Sequence, residues 1–368
     1  MTRVLGDAGG GAAPGEVAGR RPLRLGPFSG VLRPRSLVAL AGALLAMLLV
    51  FVLNVGLGET SMGPLEVANA LLGGGDRVDQ LIVFELRMPR SLTGLLVGGA
   101  LGLSGAITQA ITRNPLASPD MLGVTWGAST AATAVIVLGG SLGAASTAVE
   151  SAGLPLVALF GGLLTGIAVY LLAYRGGVDS FRLVLVGVGM GALAVNATTW
   201  LLSVGSINDA GRAMVWMTGS LNARGWEHVV PVAVALVVVV PLVLVGAHVL
   251  GALQFDDDTV RAFGVRVNVA RGVLLIGAVV LASIATAAAG PITFVALATP
   301  QIALRLARSA RPPLLLSLFL GAALVVGADV ISRTAFGNFE LPAGITTAVL
   351  GAPYLIYLIL KRYKEVRA

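Results

Sequence analysis

The chain has 368 residues, of which 56% are hydrophobic and only 12% charged, with a formal net charge of +7. A soluble domain of this length needs more charge to cover its surface. Mean hydropathy of +0.91 with recurrent apolar runs therefore implies a polytopic membrane protein, and lipid makes it all-α because only helices satisfy such a backbone internally. Cysteine is absent, which excludes disulfides and thiolate metal sites, and the arginines sit in short caps between apolar runs, as topology determinants rather than a nucleic-acid surface.

Residues 1–35 are rich in Gly, Pro and Arg and hold no apolar stretch of signal-peptide type, so a disordered cytoplasmic tail is expected. Ten spans are predicted after it, over 36–56, 90–111, 120–139, 154–174, 182–204, 229–250, 272–290, 292–307, 314–332 and 344–361. Together, 36–362 form one transmembrane domain, with 251–271 as its longest internal cytoplasmic loop. Arginine and lysine set the orientation: 19 of the 25 fall on one side and six (Arg77, Arg87, Arg90, Arg212, Arg224 and Arg333) on the other. The excess places both termini in the cytoplasm. It also leaves Arg87 and Arg90, in "LRMPRSL", on the outer face, where arginine is sparse.

A faint repeat links "SGAITQAITRNP" (104–115) to "AGPITFVALATP" (289–300) at a constant offset of 185. Five spans in each half would invert the second half relative to the first, as in transporters whose path lies between halves. The glycines of "GLLVGGALGLSG" (94–105) predict close helix packing.

Charges at membrane depth are nearly missing. Asp329, near the outer end of the ninth span, is the one acidic candidate, with Arg333 its expected partner at i+4. Without a string of buried carboxylates a proton- or sodium-driven pump is poorly supported. His228 and His248 read as interfacial residues, not metal ligands. In "FDDDTVRAFGVRVN" (255–268), an Asp is expected to cap a short helix that Gly264 ends, a handle for a soluble partner. Asn196, Thr198, Thr199 and Trp200 in the fifth span suit either a wide uncharged path or helix–helix hydrogen bonds. No GxxxxGK[ST] motif occurs.

Several stretches carry a specific resemblance: 86–128, "AAAGPITFVALATPQIALRLARSAR" (287–311), 321–360, "VWMTGSLNARGW" (215–226) and "FDDDTVRAFGV" (255–265). Together they resemble the permease family of binding-protein-dependent ABC importers for iron-siderophores, haem and vitamin B12, from about 36 to 362. Within the family the likeness is to the ferric enterobactin permease subunit that pairs with a second, related permease. Gln301 departs from the pattern, where the family usually has histidine.

The resemblance implies a ten-helix importer subunit of the bacterial cytoplasmic membrane that is not itself an enzyme. A second permease subunit, two ATPase subunits that use the ATP, and an outer siderophore-binding protein would complete it, with a ferric siderophore in transit and no cofactor bound directly. It also implies roles. Arg87, Arg90 and Arg333 would receive acidic residues of the binding protein, although headgroup anchoring with a Glu85 pair is an equally local reading of Arg87 and Arg90. Asn114, Leu116, Ser180 and Phe181 would form the cytoplasmic gate, although "NPLASP" also reads as a plain tight turn. Phe255, Asp256, Asp257, Asp258, Arg261, Ala262, Phe263, Gly264 and Val265 would meet the ATPase. A haem or corrinoid cargo keeps the mechanism. A membrane prenyltransferase would need a second Asp-rich tract, and a secondary transporter would work without ATP.

Overall fold

The computed structural model describes residues 23–25, 28–30, 34–58, 62–71, 73–139, 153–177, 179–255, 257–336 and 339–367. Inside the segment expected to be a disordered tail, two short strands, β1 (Leu23–Leu25) and β2 (Phe28–Gly30), pair antiparallel with Leu23 opposite Gly30. Residues 1–22, for which the same tail was expected, lie outside the described residues.

A helix stands at each of the ten predicted spans. These are α1 (Pro34–Gly56), α4 (Met88–Thr112), α5 (Val124–Gly139), α6 (Leu154–Ala173), α7 (Ser180–Val204), α9 (Trp226–Val245), α12 (Val267–Ala289), α13 (Val295–Ala307), α14 (Leu314–Thr334) and α15 (Ala343–Arg367). Seven are long and apolar enough to cross a membrane; α5, α13 and the apolar part of α15, Ala343–Tyr357, are shorter. Short helices fill the connections: α2 (Pro64–Leu71), α3 (Arg77–Leu81), α8 (Ile207–Met217), α10 (Ala247–Ala252) and α11 (Asp257–Ala262). A π turn over Ile82–Arg87 joins α3 to α4, so helical structure begins well before the predicted residue 90.

The eighth predicted span starts late. Gly290 (φ +74°) ends α12, Pro291 offers no N–H, and Phe294 enters the left-handed region (φ +67°) before α13 begins. The 13 residues of α13 rise only about 20 Å.

The sequence repeat does not mark equivalent places. Gly105 lies inside α4 whereas its counterpart Gly290 closes a helix, and Pro115 lies in a loop whereas Pro300 is inside α13. Five of the span helices nevertheless precede residue 205 and five follow residue 225, so a path that alternates direction runs the two sets oppositely.

Helix α4 is the axis of the molecule. It packs against α9, α12, α13 and α14, and most of its residues are buried. Its glycines make this possible. A Cβ at Gly98 would collide with the backbone of Gly321 on α14, one at Gly102 with the carbonyl of Ser317, and one at Gly105 with the carbonyl of Ala296 on α13. Glycine removes the side chain that would hold the backbones apart, and lipid supplies no competing hydrophobic drive. The core around it is aliphatic, with Leu103, Ile107, Val124, Leu275, Leu281 and Val325 buried.

Candidate functional site

The polar chemistry gathers at the two ends of α4, some 35 Å apart along the helix from Arg90 to Arg113. At the end of α4 that the charge count places outside, hence the outer end, Asp329 of α14 is 1% exposed and touches three side chains from two other parts of the chain and its own helix. Arg90 grips it in a two-pronged fork, Nη2 to Oδ1 at 2.7 Å and Nε to Oδ2 at 3.2 Å. Asn54 Nδ2 donates to Oδ2 at 2.8 Å, and Arg333 Nε lies 3.3 Å from the same oxygen. Ser91 Oγ in turn donates to Asn54 Oδ1. The expected i+4 pair with Arg333 is present, but Arg90 holds Asp329 more completely.

The other cations close the end of α1. Its last carbonyls have no intrahelical partners. Arg87 Nη1 donates to Val55 O (2.9 Å) and Gly56 O (3.1 Å), and Arg333 donates to Asn54 O (2.9 Å) and Leu57 O (3.0 Å). Positive charge at a helix C-terminus also complements its dipole. Glu340 reaches Arg90 Nη2 from the exposed side.

The three outer arginines are therefore drawn inward, not displayed as an open rim. Arg87 is 8% exposed, and the side chains of Arg90 and Arg333 are 12% and 13% exposed. Burial demands partners for each guanidinium, and the cluster supplies them. Glu85, the alternative partner for Arg87 and Arg90, is exposed and forms no ion pair with them among the described residues. Neither Asn54 nor Glu340 was singled out by sequence reasoning; the signal for Asn54 is one amide in an otherwise apolar run.

At the inner end, α11 is tied to the bundle through Asp257. Its carboxylate receives both terminal nitrogens of Arg271 (2.7 and 2.8 Å), at the start of α12, and Arg113 Nη2 (2.9 Å), at the end of α4. Arg113 also donates from Nε to Leu253 O at 2.8 Å. The Arg271 guanidinium, and then Arg113, hold the Asp257 carboxyl below the ordinary carboxylate range. A depressed carboxyl stabilises the fold above its unfolded-state pKa and loses that contribution as pH falls through the folded value. Acid below pH ~4 is therefore expected to loosen α11, while neutral pH keeps it docked; hydrogen exchange at 255–265 as a function of pH reads this out.

Asp257 and Asp258 stand in the first turn of α11, and Gly264 (φ +77°) ends the segment as expected. Asp256, the first of the three aspartates from which a cap was expected, lies outside the described residues. Phe255 and Phe263 flank the helix, mostly exposed and packed edge to face at 6.5 Å. Arg261 pairs with Asp258 at 3.0 Å, and Ala262 is exposed.

The expected gate residues split into two places. Asn114 Oδ1 accepts from Leu116 N at 3.0 Å, a local turn that follows Arg113 in its left-handed conformation (φ 51°). Ser180 and Phe181 open α7 and line, with Thr112 and Arg113, a cavity of about 560 Å³. Gln301 is buried and bonds Gln109 across helices, Nε2 to Oε1 at 2.6 Å, while Gln109 donates to Leu297 O.

A family model described as the FecCD transport family matches residues 43–361. The chain belongs to the FecCD transport family. The ferric enterobactin transport system permease protein FepG of Escherichia coli (strain K12) is 38% identical over 308 residues, 84% of this chain and 91% of the relative. The achromobactin transport system permease protein CbrC of Dickeya dadantii is 40% identical over 341 residues, 92% and 96% of the two chains. The vitamin B12 import system permease protein BtuC of Klebsiella pneumoniae is 34% identical, over 88% of this chain and 93% of that one. A metal-chelate type ABC transporter solved in an inward-facing conformation superposes with a TM-score of 0.77 at 27% identity, over 88% of this chain and 98% of the other. This FecCD protein is thus a multi-pass membrane protein of permease type.

On α7 the structure separates the four polar residues of the fifth span. Thr198 is buried and shares a 2.8 Å hydrogen bond with Thr130 of α5, so it serves helix packing. Asn196, Thr199 and Trp200 are exposed, and the first two bond back to their own helix. His228 is buried, with Nε2 3.1 Å from Arg224 and Nδ1 3.1 Å from Glu227. The His248 side chain lies outside the described residues. Among the described residues no group of His, Asp and Glu is placed to hold a metal.

Proposed function

We propose that this chain is the membrane-spanning subunit of an ABC importer for a ferric siderophore in a bacterial cytoplasmic membrane, with both termini inside. The observation that carries this reading is family membership over residues 43–361, joined by 38–40% identity to permeases named for enterobactin and achromobactin. A second related permease would complete the passage, with Asn196, Thr199 and Trp200 of α7 facing it or the path. Two ATPase subunits would dock on Phe255, Phe263 and α11 and use the ATP, the passage itself binding no cofactor. Arg113 and Arg271 would carry movement of α11 to α4 and α12 through Asp257. The gate would be Asn114 and Leu116 with Ser180 and Phe181. Saturation of Asp257 by two arginines also weighs against a magnesium-diphosphate site there.

The decisive experiment reconstitutes the chain in vesicles with its partner permease, ATPase subunits and iron-loaded binding protein. Uptake is expected to require ATP and every component. Accumulation of the ferric chelate by this chain alone would overturn the reading.

Docking of the outer protein is best tested at Glu340. Among the described residues, Glu340 is the carboxylate that meets Arg90 from the exposed side. Glu340→Gln removes that negative charge and frees a face of Arg90 without breaking the buried fork. An acidic binding protein is then expected to associate severalfold faster at low salt, with a steeper salt dependence. Stopped-flow association that is unchanged, or slower, would remove Arg90 from the docking face.

A further inference from the structure

The 560 Å³ cavity at the inner end lies between the last turns of α4 and α6 and the first turns of α7 and α12. Five arginines line it (Arg113, Arg175, Arg182, Arg261 and Arg271), against the carboxylates of Asp179 and Asp257. Among the described residues, two of the five arginines have no carboxylate partner. Asp257 is taken by Arg113 and Arg271, Arg261 pairs with Asp258, and Asp179 accepts from the backbone N–H of Arg182 as the cap of α7. Arg175 and Arg182 form no ion pair among the described residues, and both side chains are exposed. Between them the turn is built of Gly176 and Gly177; Gly176 has φ +71°, and a Cβ there would meet nothing. The wall is therefore open toward two unpaired guanidinium groups.

We propose that this cavity binds the phosphate of an anionic phospholipid headgroup, with Arg175 and Arg182 as its principal ligands. The anion chemistry alone fits a free phosphate as well. Three features favour the lipid. The cavity lies at the ends of membrane-crossing helices on the side that charge counting makes cytoplasmic, where anionic headgroups attract basic pockets between helices. The flanking helix α6 presents exposed apolar side chains one turn deeper, Leu171 and Leu172, where acyl chains would lie. Tyr170 and Tyr174 pair at the same end of α6 (6.0 Å), at the level where tyrosine marks the membrane interface. A lipid held there would bridge the α6–α7 turn to the base of α11.

Native mass spectrometry of the purified importer complex tests this, titrated with phosphatidylglycerol, phosphatidylcholine or inorganic phosphate. Phosphatidylglycerol is expected to bind with clear preference over phosphatidylcholine. Arg175→Gln with Arg182→Gln is expected to weaken it roughly thirtyfold, from two headgroup contacts. Arg305→Gln with Arg308→Gln, inner-face arginines outside the cavity, is expected to leave it within about twofold. Equal loss in the two double variants, or no preference between the lipids, overturns the site. Displacement of the lipid by millimolar inorganic phosphate overturns the lipid as occupant. The readout is binding, so it stands or falls separately from transport.

Discussion

Asp329→Ala is expected to destabilise the protein by about 3–5 kcal/mol, the range for removing one partner of a buried ion pair and stranding the other. Here two cations are stranded, since Arg90 and Arg333 both turn to this 1%-exposed carboxylate, and Asn54 loses its acceptor as well. Arg90 would keep only Glu340, on the exposed side. The damage should spread from α14 to α1, because Arg333 and Arg87 also close the last carbonyls of that helix. Thermal unfolding of the purified complex in detergent, together with its level in the membrane, measures the effect. Asp329→Asn keeps the shape and some hydrogen bonds, so a smaller loss is expected. Adding Arg90→Met and Arg333→Met to Asp329→Ala should recover part of the stability, because an apolar replacement of a whole buried cluster is far less harmful than half a cluster. Full stability of Asp329→Ala alone would mean the outer charges are solvated in the membrane, and the burial argument would fail.

The same cluster shows what was legible in the sequence. The ten helices were, since an apolar run of about twenty residues has few alternatives in lipid. So was the i+4 relation of Asp329 to Arg333, which helix geometry makes local. The dominant partner, Arg90, is 239 positions away, and no local rule brings α4 to α14 at that depth. Asn54 reads as a lone polar residue until Arg90 and Asp329 surround it. The eighth span was misplaced at its start because Phe294, an aromatic residue with no local reason to leave the right-handed region, takes φ +67°. The matched glycines of the internal repeat misled for a related reason. Identity in an Ala/Gly-rich text does not distinguish a glycine that lets helices touch, Gly105, from one that ends a helix, Gly290. At the inner end the short helix and its Gly264 stop were readable, but the two arginines on Asp257 come from other elements, and only the fold shows that α11 is bolted to both α4 and α12.

Gly98→Leu is expected to abolish assembly of a functional importer, and Gly98→Ala to cost about 1–3 kcal/mol, the usual range for overpacking a tight core. The reason is backbone contact. A Cβ on Gly98 meets the carbonyl of Gly321, and one on Gly321 meets the carbonyl of Gly98, so neither helix has a flexible side-chain end that can swing away. Relief requires α4 and α14 to separate, and that separation acts on both ends of α4 at once. At one end it lengthens the fork from Arg90 to Asp329; at the other it shifts Arg113 away from Asp257 and Leu253. Loss of ATP-dependent uptake should therefore accompany loss of stability, with the ATPase subunits still able to hydrolyse but less responsive to loaded binding protein. Gly42→Ala is the control. It lies on the exposed face of α1 with nothing within 4 Å of the added atom, and no loss of stability is expected. Thermal melts and uptake for the three variants decide the matter. A Gly98→Ala protein as stable and active as Gly42→Ala would show that α4 and α14 do not pack through their backbones, and with that the rigid connection between the outer and inner clusters would be lost.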